Sequence, residues 1–154
     1  ELRGYGNAND AFHQTASSPE GIGAMNAMQQ ALQTAGIAPS AVDYINAHGT
    51  ATENNDLSEG IGIQKLFGEH VPYFSSTKPY TGHTLAAAGS IEAVYSMMAL
   101  QHQMVWPNLN YVHQMPELRI SPARDLVQDI PLKNILSNSF GFGGNTSSLL
   151  IGSV

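Results

Sequence analysis

Val42-Asp43-Tyr44-Ile45-Asn46-Ala47-His48-Gly49-Thr50-Ala51-Thr52 is a compact apolar run that breaks off into polar and glycine residues. Its apolar part, Val42 to Ala47, predicts a strand. Asn54 to Phe67 predicts a helix, weakened by Gly60 and Gly62 and stopped by Gly68. Val71 to Ser75 predicts the next strand. A strand, a helix and a strand in succession imply parallel pairing, with the helix lying on one face of the sheet.

The same alternation extends in both directions. Leu2 to Asn7 reads as a short strand that opens abruptly, as if continuing from something before it. Ser17 or Ser18 can cap the following helix, with Pro19 in its first turn. Ile22, Met25, Met28, Leu32 and Ala35 then recur at three- to four-residue spacing until Gly36. Thr84 to Gln103 is apolar on nearly all sides around Glu92, which predicts a buried helix. Trp106 to Pro131 carries four prolines and predicts an irregular excursion. Ile135 to Phe140 and Thr146 to Ile151 predict two strands around a glycine turn, paired antiparallel. The order β-α-β-α-β-α-β-β gives an α/β fold: a five-stranded mixed sheet, mainly parallel, with helices on both faces. One domain, residues 1–154, accounts for the length.

Composition narrows the function. Charged residues make up only 12% of the chain, against 42% apolar residues. A free-standing domain usually carries about twice that charged fraction, so part of the surface is expected to meet a partner. The formal charge of −6 and six scattered Lys and Arg residues argue against nucleic acid. No apolar run is long enough for a membrane span, and no secretion signal is visible. The absence of cysteine excludes a disulfide framework and fits the cytoplasm. It also means that no thiolate nucleophile comes from this chain.

Three segments carry polar residues that a plain α/β core does not need, each just after a strand, where open α/β sheets place ligands. The first is Asn46-Ala47-His48-Gly49-Thr50-Ala51-Thr52, leading to Asp56. The second is Ser75-Ser76-Thr77-Lys78-Pro79-Tyr80-Thr81-Gly82-His83, in which Pro79 should hold Lys78 extended. The third is Asn138-Ser139-Phe140-Gly141-Phe142-Gly143-Gly144-Asn145. Taken singly, each has a plain structural reading: a hydrogen-bonded histidine at a strand end, a solvated lysine, a glycine-rich hairpin turn. The glycine segment lacks the Gly-Lys-Ser/Thr ending of a phosphate loop, and the histidines show no metal-ligand spacing.

Together, in this order and spacing, the three segments resemble the C-terminal signature of the β-ketoacyl synthases of the thiolase superfamily. Gly4-Tyr5-Gly6, Asp10-Ala11-Phe12-His13 and Trp106-Pro107-Asn108-Leu109-Asn110 extend the resemblance over essentially the whole chain. It implies the second half of a two-half enzyme, in which an absent first half supplies a cysteine that carries the acyl chain. A malonyl thioester then loses CO₂, and the resulting carbanion attacks the acyl group. In that scheme His48 and His83 donate hydrogen bonds to the malonyl thioester. Lys78 organises the site, through His83 or a nearby group. Thr50, Thr52, Phe140, Phe142, Gly143 and Gly144 contact substrate, with Phe142 as a gate and the glycine backbone as N–H donors to the acyl oxygen. No cofactor or metal is called for. The implied partners are acyl carrier protein, the missing half, and a second copy of the full-length parent.

Two departures stand out. Asn145-Thr146 replaces the usual Thr-Asn after the glycines, and Pro79 replaces a common serine. A chain-length-factor-like subunit, which shapes a pocket without catalysing, is the rival reading. Retention of His48, Lys78 and His83 together favours the enzyme. Thiolases use a second cysteine, which this chain lacks.

Overall fold

The computed structural model describes residues 1–153; Val154, the end of the expected domain, lies outside them. Strand β1 (Leu2–Asn9) is followed by α1 (Ile22–Ala35), β2 (Tyr44–Asn46), α2 (Glu53–Phe67) and β3 (Tyr73–Ser75). A single turn of helix, α3 (Lys78–Thr81), leads through a 3₁₀ turn at Leu85–Ala87 into α4 (Ala88–His102). Strands β4 (Asn134–Phe140) and β5 (Asn145–Gly152) close the chain. The sheet runs β1-β5-β4-β2-β3. β2 is parallel to both β3 and β4, whereas β5 is antiparallel to β4 and β1. The expected five-stranded mixed sheet is present, but half its pairings are antiparallel, because β1 pairs with the last strand.

Side chains alternate across a strand, and β2 and β4 therefore serve two cores. Ile45 and Leu136 join Met28, Leu32, Ile63 and Leu150 beneath α1 and α2. Tyr44 and Ile135 join Ala99, Val105 and Leu132 beneath α4. Helix α1 lies so close over β1 that a Cβ added at Gly6 would sit 2.1 Å from the Ala27 carbonyl oxygen. Both faces of β2 and of Asn134–Asn138 in β4 are buried, with Asn46, Ser137 and Asn138 among the apolar residues.

Several boundaries differ from the sequence reading. β2 is shorter than Val42–Ala47, since Val42 closes a turn onto Pro39 and the Asp43 side chain accepts the Lys133 and Asn134 N–H groups. β3 starts after Pro72, which has no N–H to donate. α1 starts at Ile22 rather than at Pro19. Ser18 donates its N–H to Asp10 and accepts the Gly21 N–H, so residues 18–21 form a turn before the helix. Lys78 is not extended: it opens α3, where Pro79 falls in a first turn that needs no N–H from it. The stretch from Trp106 to Pro131 is irregular, as expected, apart from an isolated bridge between Val105 and Val127.

Helix α4 was expected to be apolar on nearly all sides, and to expose apolar surface in a chain that lacks the first half. Its buried residues within this chain are Ala88, Glu92, Ser96 and Ala99, which are small or polar. Its apolar residues Val94, Met97 and Met98, with Leu85 just before it, are exposed by 38–79%. Full burial of an exposed side chain of this size contributes about 1.5–3 kcal/mol, and covering these partly exposed ones contributes a share of that, so this face favours association. The isolated chain is expected to self-associate through it. Sedimentation velocity over a concentration series should show the effect, and Met97→Lys should shift the chain toward monomer. A concentration-independent monomer would count against the assignment of this face.

Candidate active site

The site lies at the C-terminal edge of β2 and β3. Pairing persists one residue past β2, with the Ala47 N–H donating to the Ser75 carbonyl at 2.8 Å. His48 is the next residue, free of the ladder. Its backbone is fixed from α2: Glu59 accepts the His48 N–H on Oε1 and the Gly49 N–H on Oε2, each at 2.9 Å. Asn138 of β4 donates to the same Oε1 at 3.0 Å and accepts from Ser148 of β5 at 2.8 Å. Gly49 has φ +41°, and a Cβ there would meet Ser76 Cβ at 2.5 Å, so no other residue fits without displacing the β3 turn. Burial pushes the Glu59 carboxyl upward, against the pull of its N–H donors and the more distant Lys78.

Lys78 is buried with its ammonium between three acceptors. It donates to the His48 carbonyl, to Glu92 Oε1 of α4, and to His48 Nδ1 at 3.1 Å. The partner is thus His48, not His83. The other carboxylate oxygen of Glu92, Oε2, is buried with no hydrogen-bond partner. Burial raises the Glu92 carboxyl, and Lys78 opposes that.

An ammonium beside Nδ1 makes that nitrogen the acceptor and leaves the proton of a neutral ring on Nε2. Burial, then Lys78, then His83 lower the His48 pKa from 6.5 to about 3, so the ring is uncharged at neutral pH. The unfolded chain takes up this proton near pH 6.5 and the folded site only near pH 3. The contribution of this group to stability is therefore complete above that window and declines as pH falls through it.

His83 stands edge-on to His48, with ring centroids 5.4 Å apart and planes at 86°. Its Nδ1 accepts the Leu85 N–H at 3.1 Å, which leaves Nε2 as its donor. Phe140 tilts over His48 at 5.4 Å. Thr50 is half-buried and Thr52 exposed, their hydroxyls 2.9 Å apart. Between them Ala51 holds φ +61°, a left-handed conformation costly for a residue with a Cβ. A cavity of about 460 Å³ opens beside Lys78 and His83, with Thr50, Asp56 and Ile63 on its wall.

In the glycine segment the Gly141 and Gly143 N–H groups are donated to the Asn145 and Gln14 carbonyls. Phe142 is 77% exposed. The displaced Asn145 finds other work: it donates to the Phe142 carbonyl and accepts from Asn9.

The sequence reading named His48, Lys78 and His83, which meet here. It placed Ser76 and Asn138 in the polar segments without their partners, missed Glu59, and gave Glu92 no role. A lone acid in an otherwise apolar helix was the available signal for Glu92. Nothing in the sequence alone marks Glu59, one of several acids in α2.

The description "Beta-ketoacyl synthase, C-terminal domain" matches residues 1–112. The chain belongs to the β-ketoacyl synthase family. The 3-oxoacyl-[acyl-carrier-protein] synthase 2 of Staphylococcus aureus (strain COL) is 43% identical over 152 residues, covering 97% of this chain and 37% of that protein. A ketosynthase assembly, AntDE:AntF, described as a type II PKS acyl-carrier protein in complex with its ketosynthase bound to the hexaketide, superposes with TM-score 0.94. It is 35% identical over 99% of this chain and 38% of its own. The ketosynthase ApeO of Xenorhabdus doucetiae, solved with its chain length factor ApeC, gives 0.91 and 40% over 99% and 39%. The chain thus spans little more than a third of these relatives, as a C-terminal half of a synthase. Among the described residues no helix is long and apolar enough to cross a membrane.

All three contacts of the Glu59 side chain are N–H donors, so an amide at this position must turn its own NH₂ against one of them. Glu59→Gln is expected to lower stability by about 1–3 kcal/mol, read as a fall in the urea midpoint. An unchanged midpoint would mean that the His48 backbone is held by other contacts.

Proposed function

We propose that this chain is the malonyl-activating half of a β-ketoacyl synthase, residues 1–154 forming its C-terminal domain. The observation that carries this reading is the pair of imidazoles at 5.4 Å, each with Nδ1 already occupied. Two neutral rings then offer two Nε2–H donors to one thioester oxygen. Loss of CO₂ leaves an electron pair that delocalises onto that oxygen as an enolate. Preorganised donors stabilise such developing charge. The enolate carbon then attacks an acyl thioester held on a cysteine of the absent half. A carbon–carbon bond forms, and the cysteine thiolate leaves.

Lys78 serves by holding His48, not by touching substrate. Its ammonium fixes the tautomer and, with burial, keeps the ring uncharged. Thr50 and Thr52 border the approach and suit the amide-rich arm of a carrier-borne thioester, with Phe140, Phe142, Gly143 and Gly144 on the acyl side. Acyl carrier protein is the proposed donor of both thioesters, in line with the carrier protein bound in the AntDE:AntF assembly. The full-length parent is proposed to be a cytoplasmic homodimer that uses no cofactor, with the α4 face covered by its first half.

A chain-length-factor-like subunit would need none of this. Burying an ammonium and a carboxylate costs several kcal/mol per ion before their attraction offsets it. A subunit that only shapes a pocket gains nothing from that arrangement, which supports the catalytic reading.

In the full-length parent, His48→Ala and His83→Ala should each lower malonyl decarboxylation and condensation by ~10²–10³ while self-acylation persists. Radiolabelled malonyl and acyl thioesters separate the two steps. Near-wild-type decarboxylation in either variant would remove that histidine from the mechanism.

A further inference from the structure

Asn54, in the first turn of α2, reaches away from the histidines to the loop that follows β1. Its Oδ1 accepts the Ser17 N–H at 2.8 Å and its Nδ2 donates to the Ser17 carbonyl at 3.1 Å, so one amide engages both backbone groups of one residue. One turn further along the helix, Ser58 donates to the Ser18 carbonyl at 2.7 Å. The loop is closed on itself by Asp10, which accepts the Phe12 and Ser18 N–H groups. It also contains Ala11 at φ +49°, a strained position that persists only where surrounding contacts hold it.

The same loop grips the glycine turn. Gln14 accepts the Gly143 N–H at 2.8 Å, the Asp10 N–H donates to the Gly144 carbonyl at 3.2 Å, and Asn9 donates to the Gly143 carbonyl at 2.8 Å. The helix that begins beside Thr50 and Thr52 is thereby joined to the turn that carries Phe142. The joining residue lies outside every motif of the sequence reading.

We propose that Asn54 is a positioning residue that sets the Phe142 turn from the malonyl side of the site, through Ser17 and the loop of residues 10–18. This rests on the synthase reading above. Removing the amide frees the loop and, through Gln14, the turn. The Lys78, His48 and His83 contacts stay in place. The acyl-transfer step should then change separately from the malonyl step.

The test uses the full-length parent with Asn54→Ala and Asn54→Asp, the latter keeping an acceptor for the Ser17 N–H while setting a carboxylate oxygen against the Ser17 carbonyl. Hydrogen exchange at the Ser17 and Gly143 amides should accelerate at least about tenfold in both variants, a change of roughly 1.4 kcal/mol in opening. The kcat/KM for self-acylation from octanoyl carrier protein should shift at least about threefold, with malonyl decarboxylation within about twofold of wild type. Faster exchange at Ser17 with none at Gly143 would overturn the proposal, because the clasp would then be local. An equal fall in both steps would also overturn it, as a general structural loss. A wild-type parent that does not condense at all would sink the synthase reading instead, while the exchange data would still decide whether Asn54 sets the turn.

Discussion

A charged ammonium is buried at the end of a sheet, and much of the architecture around the site follows from accommodating it. Lys78 is buried against Glu92 and His48. Removing one partner of such a pair leaves the other uncompensated, at a cost of about 3–5 kcal/mol. Glu92 must therefore come from a helix packed on the α4 face of the sheet, with small residues at Ala88, Ser96 and Ala99 to let that helix approach. His48 must present both its carbonyl and Nδ1, which fixes its backbone as well as its ring. The Glu59 carboxylate secures that backbone from the opposite face. The ion pair from α4 and the carboxylate from α2 thus meet at His48, at the sheet edge where the histidines stand.

The sheet and the three polar segments were legible because their signals are local. The stretches at 42–47 and 135–140 lie between turn residues such as Pro39, Gly49, Pro131 and Gly141, at about the length of a strand. The glycine after His48 and the turn before His83 mark chain reversals at a strand edge. What could not be read was reciprocity between distant residues. The partner of Lys78 is set by its entry into a helical turn, whereas Pro79 in the sequence argues for extension. Glu59 carries no motif of its own, and Asn138 opens the third segment without naming its partner; the bond between them exists only once α2 and β4 are side by side. The pairing of β1 with β5 was likewise missed, since nothing in Leu2 to Asn7 names its neighbour.

Helix α4 shows what composition leaves open, namely which face of an apolar helix turns inward. Its sequence is so apolar that burial on every side is the natural inference. Within this chain the helix turns its polar and small residues inward and its larger ones outward. The inward face is polar because it must supply Glu92 to Lys78 and accept the Asn46 amide at the Glu92 carbonyl. An apolar helix with one acid is thus a functional pattern when the acid faces a strand edge that bears a lysine.

The pairing of the first and last strands has a consequence for biosynthesis. Among the described residues β1 pairs with β5, with Leu2 opposite Ile151. While the ribosome is still adding residues, β1 has α1 to lie on but no strand to pair with. Contacts this distant in sequence form late and slowly. The loop of residues 10–18 and the turn around Phe142 can grip each other only after β5 has been released. The two histidines lie within one stretch of 36 residues and can meet earlier, on the parallel pair β2 and β3. Assembly of this domain therefore has a built-in order, in which the imidazole pair precedes the turn that overlooks it.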